Sequence, residues 1–176
     1  MSTVAGVRSA TLLCLVAATT VIVLAAITVI AAGLGDETRR MLGFGFGGVE
    51  RSPEEAARIA MQNGRVAGGT LLCAALAPRV SVRARRLVFL VLTTVLAASG
   101  ASVGIAVGAY GTRAMSAVAA HLPVEFSALS LAGGAYMQAC KQALSGREFA
   151  VVATATGFLL VVAAVLETYV SIGGAQ

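Results

Sequence analysis

Residues 10–32 contain no charged side chain, and this run constrains the fold more than anything else in the chain. About 20 apolar residues in a helix cover the ~30 Å hydrocarbon layer of a bilayer. In that medium the backbone must satisfy its own hydrogen bonds, which a helix does within a single segment. Arg8 stands just before the run and Ala31-Ala32-Gly33 ends it, a pattern shared with secretory signal peptides. The apolar centre of a signal peptide is only about 7–15 residues long, so an uncleaved helix is expected. The whole composition points the same way: 58% of the residues are hydrophobic and 12% charged, about half the ~25% charge of a soluble domain. We therefore expect an all-α, polytopic transmembrane bundle in which residues 1–176 form one integral membrane domain with no soluble domain beside it.

The pattern predicts five spans, at about residues 10–32, 57–77, 87–110, 124–139 and 149–172. A polar loop (residues 33–56) follows the first. It contains the glycine run Gly43-Phe44-Gly45-Phe46-Gly47-Gly48, which lacks the Lys-Ser/Thr end of a phosphate loop and reads as a connection whose phenylalanines dip toward the interface. Ser52-Pro53-Glu54-Glu55 has the form of a helix start, with Ser52 as N-cap, Pro53 in the first turn and Glu55 placed for a capping box. The second span is polar in its first half, where it carries Arg58, Gln62, Asn63 and Arg65. Pro78 ends it, and a basic loop with Arg79, Arg83, Arg85 and Arg86 leads to the third span. Residues 111–124 read as a connection.

Small residues mark where helices can approach one another. Gly64 and Gly68, the ridge Gly100, Gly104 and Gly108, and the pair Gly133 and Gly134 are all expected helix-packing positions. The three cysteines, Cys14, Cys73 and Cys140, are odd in number, lack CxxC spacing and lie in or beside apolar runs. They read as packing residues rather than as disulfide or zinc ligands.

Orientation follows from lysine and arginine in the connections. With the N-terminus inside, Arg8, Arg79, Arg83, Arg85, Arg86, Lys141 and Arg147 are cytoplasmic, and Arg39, Arg40, Arg51 and Arg113 lie outside. The richer set belongs inside, which predicts N-in and C-out. The net charge of +5 is accounted for by these anchors, so nucleic acid is not an expected partner; the lipid bilayer is.

This topology brings three polar stretches to one depth, near the outer leaflet: Asn63 and Arg65 at the start of the second span, His121 and Glu125 at the start of the fourth, and Glu167 and Tyr169 at the end of the fifth. Ionisable groups at membrane depth usually face the bundle interior, paired or functional. Arg65 is the natural counter-charge for Glu125 or Glu167. The plainest reading is a polar staple joining three helices. Three functional readings stand beside it: a metal site on His121, Glu125 and Glu167, a proton or substrate relay, and a recognition pocket for a peptide or a partner's membrane helix. One histidine is few for zinc and His-x-x-x-Glu is a weak signature, so no metal and no cofactor is assigned. No hydrolase motif is present and no serine or cysteine adjoins His121 in sequence, so no enzyme activity is assigned.

On His121, Glu125 and Ala132-Gly133-Gly134, on Asn63 and Arg65, and on Glu167 and Tyr169, the chain resembles the stage II sporulation protein M family over roughly residues 57–172. It departs from that pattern in having Leu122 where the family often has glycine, Ala135-Tyr136 interrupting the glycine-rich continuation, and Ser171-Ile172 where the family has Thr-Pro. The resemblance implies a multi-pass protein of the bacterial plasma membrane that acts in a complex. The settings it implies are membrane complexes with cell-wall hydrolases and, for short members, gene clusters for the production, export or immunity of circular bacteriocins. The expected function is thus a membrane scaffold or assembly protein with membrane-protein partners, itself included as a homo-oligomer. The alternative is the membrane subunit of a transporter or bacteriocin export or immunity system, with a separate ATPase on the Arg79–Arg86 loop.

Overall fold

A computed structural model describes residues 3–44 and 50–170. Every regular element among them is helical: α1 (Thr3–Ala31), α2 (Gly35–Leu42), α3 (Pro53–Leu76), a 3₁₀ turn (Ala77–Arg79), α4 (Val82–Tyr110), α5 (Thr112–Val118), α6 (Leu122–Lys141) and α7 (Gly146–Tyr169). The all-α expectation therefore holds. Three helices are long and apolar enough to cross a membrane: Val4–Ala31, Val82–Tyr110 and Gly146–Tyr169. Helices α5 and α6, bent by 60° at their junction, pass together as a fourth. The helix expected as the second span, α3, falls short because Gln62, Asn63 and Arg65 interrupt its apolar sequence.

Two connections are more ordered than expected. The polar segment after α1 contains α2, which begins after Gly33 turns the chain with φ +66°. Asp36 and Glu37 lie in its first turn and Arg39 and Arg40 in its last, the order that complements a helix dipole. The segment after α4 contains α5, which follows a second left-handed glycine, Gly111. The basic loop is also mostly helical. Arg83, Arg85 and Arg86 lie in α4, whose first turn is capped by Ser81 accepting from the Ala84 N–H at 3.3 Å. Of the glycine-rich stretch, residues 45–49 lie outside the described residues, as do 171 and 172 of the expected last span. Phe44 is described, and its ring packs on Tyr110.

The start of α3 forms as its sequence predicts. Ser52 Oγ accepts from the Glu55 N–H at 3.1 Å and Pro53 occupies the first turn. The reciprocal half of the box is missing, because the Glu55 carboxylate accepts from Arg58 Nε at 2.7 Å instead. A complete capping box opens α7, between Ser145 and Glu148.

Helix α6 is the hub. Ala128, Ala132 and Ala135 are fully buried, and α1, α3 and α7 all pack against this helix. Gly134 lies on the Thr11 backbone, where a Cβ would collide, and Gly133 lies 3.4 Å (from a built Cβ) from Cys14 Sγ. Helix α4 packs on α1 instead: a Cβ at Gly104 would strike the Ile22 carbonyl oxygen, one at Gly108 would come within 2.8 Å of the Ala26 carbonyl oxygen, and Gly100 is in ordinary contact with Ala18 and Ile22. Gly64 and Gly68 meet no neighbour among the described residues, since nothing there lies within 4 Å of a Cβ at either. These contacts give α1, α4 and α7 one direction and α3 and α6 the opposite one. The two short helices lie at the same end of the bundle, where Arg39 Nη1 donates to the Ala109 carbonyl at 2.7 Å and Tyr110 Oη donates to the Arg39 carbonyl at 3.2 Å.

The outward faces are apolar. Leu12, Leu24, Ile30, Leu87, Leu90 and Phe158 are each more than half exposed, the arrangement a lipid-covered bundle needs.

The glycine contacts separate two substitutions that look alike in sequence. Gly104→Ala is expected to destabilise the purified protein by about 1–3 kcal/mol through overpacking. Gly68→Ala is expected to be neutral or to stabilise by up to about 1 kcal/mol through helix propensity. Thermal unfolding in one detergent compares them, and equal melting temperatures would contradict the α1–α4 contact.

Candidate functional site

Helices α3 and α4 make no extended contact, and between them lies a cavity of about 440 Å³ floored by α6. On α6 the lining residues include His121, Glu125, Leu129, Gly133 and Tyr136, the three- and four-residue spacing of one helix face. From His121 to Tyr136 the floor extends about 22 Å at the helical rise of 1.5 Å per residue. The lining changes character along this length. Polar groups gather at the His121 end, where Arg58, Gln62, Asn63 and Glu167 join His121 and Glu125. Farther along come Val66, Phe89, Leu92, Leu96 and Met137.

The two ends are built differently. At the Tyr136 end, Tyr136 Oη donates to the Arg85 carbonyl at 2.7 Å, and Arg85 Nη1 donates to the Cys140 carbonyl at 3.0 Å. This two-way clasp joins the first turns of α4 to the last turn of α6. It also satisfies one of the carbonyls that a helix C-terminus leaves open. Half-buried Cys73 and Cys140 pack around the same tyrosine, in line with their expected packing role. Cys14 donates to Met137 Sδ at 3.8 Å.

At the other end, Pro123 sits in the first turn of α6, with His121 at the N-cap position. Glu125, four residues after His121, therefore lies beside it on the first helical turn, where a negative charge interacts favourably with the helix dipole. Glu167 reaches the same point from the last turn of α7. One ligand atom from each of His121, Glu125 and Glu167 lies within 4.8 Å of the others, with His121 buried and both glutamates partly buried. The two acids are within electrostatic reach of each other.

Of the polar residues that sequence alone grouped together, Asn63, His121, Glu125 and Glu167 line the cavity. Arg65 and Tyr169 do not. Both side chains are exposed, and Arg65 enters no ion pair among the described residues. The expected counter-charge is thus misplaced. The arginine within reach of Glu167 is Arg58, two turns earlier on α3, and its guanidinium is engaged by Glu55. The polar character of Arg58 was visible in sequence, but its pairing depended on the register of α3 against α7. Tyr136 gave no comparable signal beyond being an aromatic in an Ala/Gly-rich run.

No protein-family model, curated protein or solved structure matches the chain.

The clasp makes a prediction at the end of the cavity remote from the acids. Tyr136→Phe removes the donor to the Arg85 carbonyl, which keeps its own bond within α4, and is expected to cost about 0.5–1.5 kcal/mol, the net worth of one hydrogen bond. Reversible unfolding in mixed detergent micelles measures it, and a loss below the resolution of that method would show that the clasp adds no stability.

Proposed function

We propose that this is a protein of the bacterial plasma membrane with five crossings, N-in and C-out, and that it works as an assembly scaffold of the stage II sporulation protein M type. In this reading the open side between α3 and α4 receives a membrane segment of a partner protein. The cavity between those helices is the observation that carries the reading: its length is mostly apolar, and its charged groups, Arg58, Glu125 and Glu167, are confined to the His121 end. A transmembrane segment with a polar residue near its terminus fits such a surface.

The course of the chain supports the crossings. The five long helices alternate in direction, as successive crossings must, and α3 spans about 36 Å at 1.5 Å per residue. Charge supports the orientation. Arg8, Arg79, Arg83, Arg85, Arg86, Lys141 and Arg147 all belong to the Tyr136 end, while Arg39, Arg40, Arg51 and Arg113 belong to the other, so the richer basic set lies at the end assigned to the cytoplasm.

A second reading is a transporter subunit that docks a separate ATPase. The exposure of Arg79, Arg83 and Arg86 favours it, whereas Arg85 is held in the clasp. These three side chains offer a compact basic surface at the end assigned to the cytoplasm.

Photo-crosslinking in living cells tests the scaffold. A crosslinker at Leu96, in the cavity, is expected to give a discrete protein adduct, identified by mass spectrometry. One at Leu12, on the outward face of α1, is not. Glu125→Ala is expected to abolish the Leu96 adduct and Arg40→Ala to retain it. Lipid adducts alone from both sites would overturn the reading, and stoichiometric recovery of an ATPase would replace it with the transporter. Topology has a separate check. In a chain whose native cysteines are replaced, a cysteine at Ser81 is expected to react with an impermeant maleimide only after the cells are opened, and labelling of intact cells would reverse the orientation.

A further inference from the structure

The polar end of the cavity holds more than a partner's segment would need. Two carboxylates from different helices, Glu125 and Glu167, face one another beside a buried histidine. Among the described residues neither carboxylate is in an ion pair: the pairs join Arg39 to Asp36, Arg40 to Glu37 and Arg58 to Glu55. Ionised acids held this close in a setting of low dielectric repel strongly unless a cation or a shared proton lies between them.

We propose that His121, Glu125 and Glu167 form a binding site for a divalent transition-metal ion of the zinc type, with its remaining coordination position open to the cavity. The donor set fits that ion. Zinc takes imidazole nitrogen at about 2.0–2.1 Å and carboxylate oxygen at about 2.0–2.2 Å, which puts tetrahedral ligands about 3.4 Å apart. The three side chains already converge to within 4.8 Å.

The choice among cations follows from the donors. Calcium takes six to eight oxygen ligands, and magnesium keeps most of its water in an octahedral shell. A nitrogen donor in a three-ligand site selects the later first-row ions instead. Three protein ligands leave one tetrahedral position free, as in zinc sites that bind water or a further ligand. Here that position faces the cavity lined by Gln62 and Asn63, whose side-chain amides can hydrogen-bond whatever occupies it. The spacing supports a built site as well: Glu125 follows His121 by one turn, so one rigid helix fixes two ligands and α7 supplies the third. The proposal does not depend on a protein partner, because the ligands all belong to this chain.

Metal analysis of the purified full chain tests it. Cys14, Cys73 and Cys140 are replaced by alanine so that thiolates do not compete. The protein in mild detergent is stripped with chelator, equilibrated with zinc alone, washed and measured by elemental mass spectrometry. One zinc per chain is expected. Glu167→Gln, the most conservative of the ligand changes, is expected to weaken binding at least about tenfold, with Arg40→Ala unchanged. Zinc retained equally by the parent and by a His121→Ala/Glu125→Gln variant would overturn the site. A second measurement needs no ligand variant. Cobalt(II) added to the same cysteine-free chain is expected to give the intense visible bands of a tetrahedral ion, and the weak spectrum of the aqueous ion alone would equally overturn it. Loss of the partner adduct at Leu96 with zinc binding intact would remove the scaffold reading and leave the metal site standing.

Discussion

In hydrocarbon the solvent is as apolar as the side chains, so helices gain little by hiding leucine from it. They associate through close van der Waals packing and interhelical hydrogen bonds. That constraint falls on α6 in this protein. Its Ala128, Ala132 and Ala135 are fully buried, and three helices reach its surface at once. Larger residues at those positions would hold α1, α3 and α7 apart, and the acids of α6 and α7 would no longer meet. The geometry of the polar site is therefore set by residues that carry no chemistry themselves.

The cavity follows from the same packing. Helix α1 offers a surface to α6 at Thr11 and Cys14 and another to α4 at Ile22 and Ala26. Because α4 is held on α1 by its glycine ridge, it does not close onto α3. Gly104 and Gly108 lock this arrangement, since their contact is with α1 backbone, which cannot yield as a flexible side chain can. The clasp of Tyr136 with Arg85 then fixes the end of α4 against α6. One side of the groove is left without a wall while both neighbouring helices are anchored.

Much of this was legible in sequence, and the misses have physical causes. The apolar runs announced the three most hydrophobic helices, and Ser52-Pro53 announced the start of α3. The convergence of His121, Glu125 and Glu167 was readable because consecutive helices that run in opposite directions bring the start of α6 and the end of α7 together. The partner assigned to Arg65 was not, because depth does not define rotation about a helix axis: Arg65 lies at a suitable level but turns outward. The same limit explains Gly64 and Gly68, whose spacing permits close packing without specifying a neighbour. Short helices such as α2 and α5 escape apolar patterning because their positions depend on single contacts, such as Arg39 with the Ala109 carbonyl.

A groove fixed in this way has a consequence for binding. Closing it would require α4 to leave the glycine ridge of α1 or the clasp at Arg85 to open, and either change gives up close contacts made within the chain. The groove is therefore preorganised, and a ligand entering it spends little free energy on ordering the protein. The charged end gains most from that rigidity. Glu125 and Glu167 leave helices whose positions are set elsewhere, by Ala128 and Ala132 on one side and by Ala163 and Ala164 on the other, all of them buried. Like charges that a flexible protein would separate are held together here by the packing of uncharged residues. Binding of a cation between them relieves that repulsion and tightens the contact between α6 and α7, so the apolar core and the polar site stabilise each other.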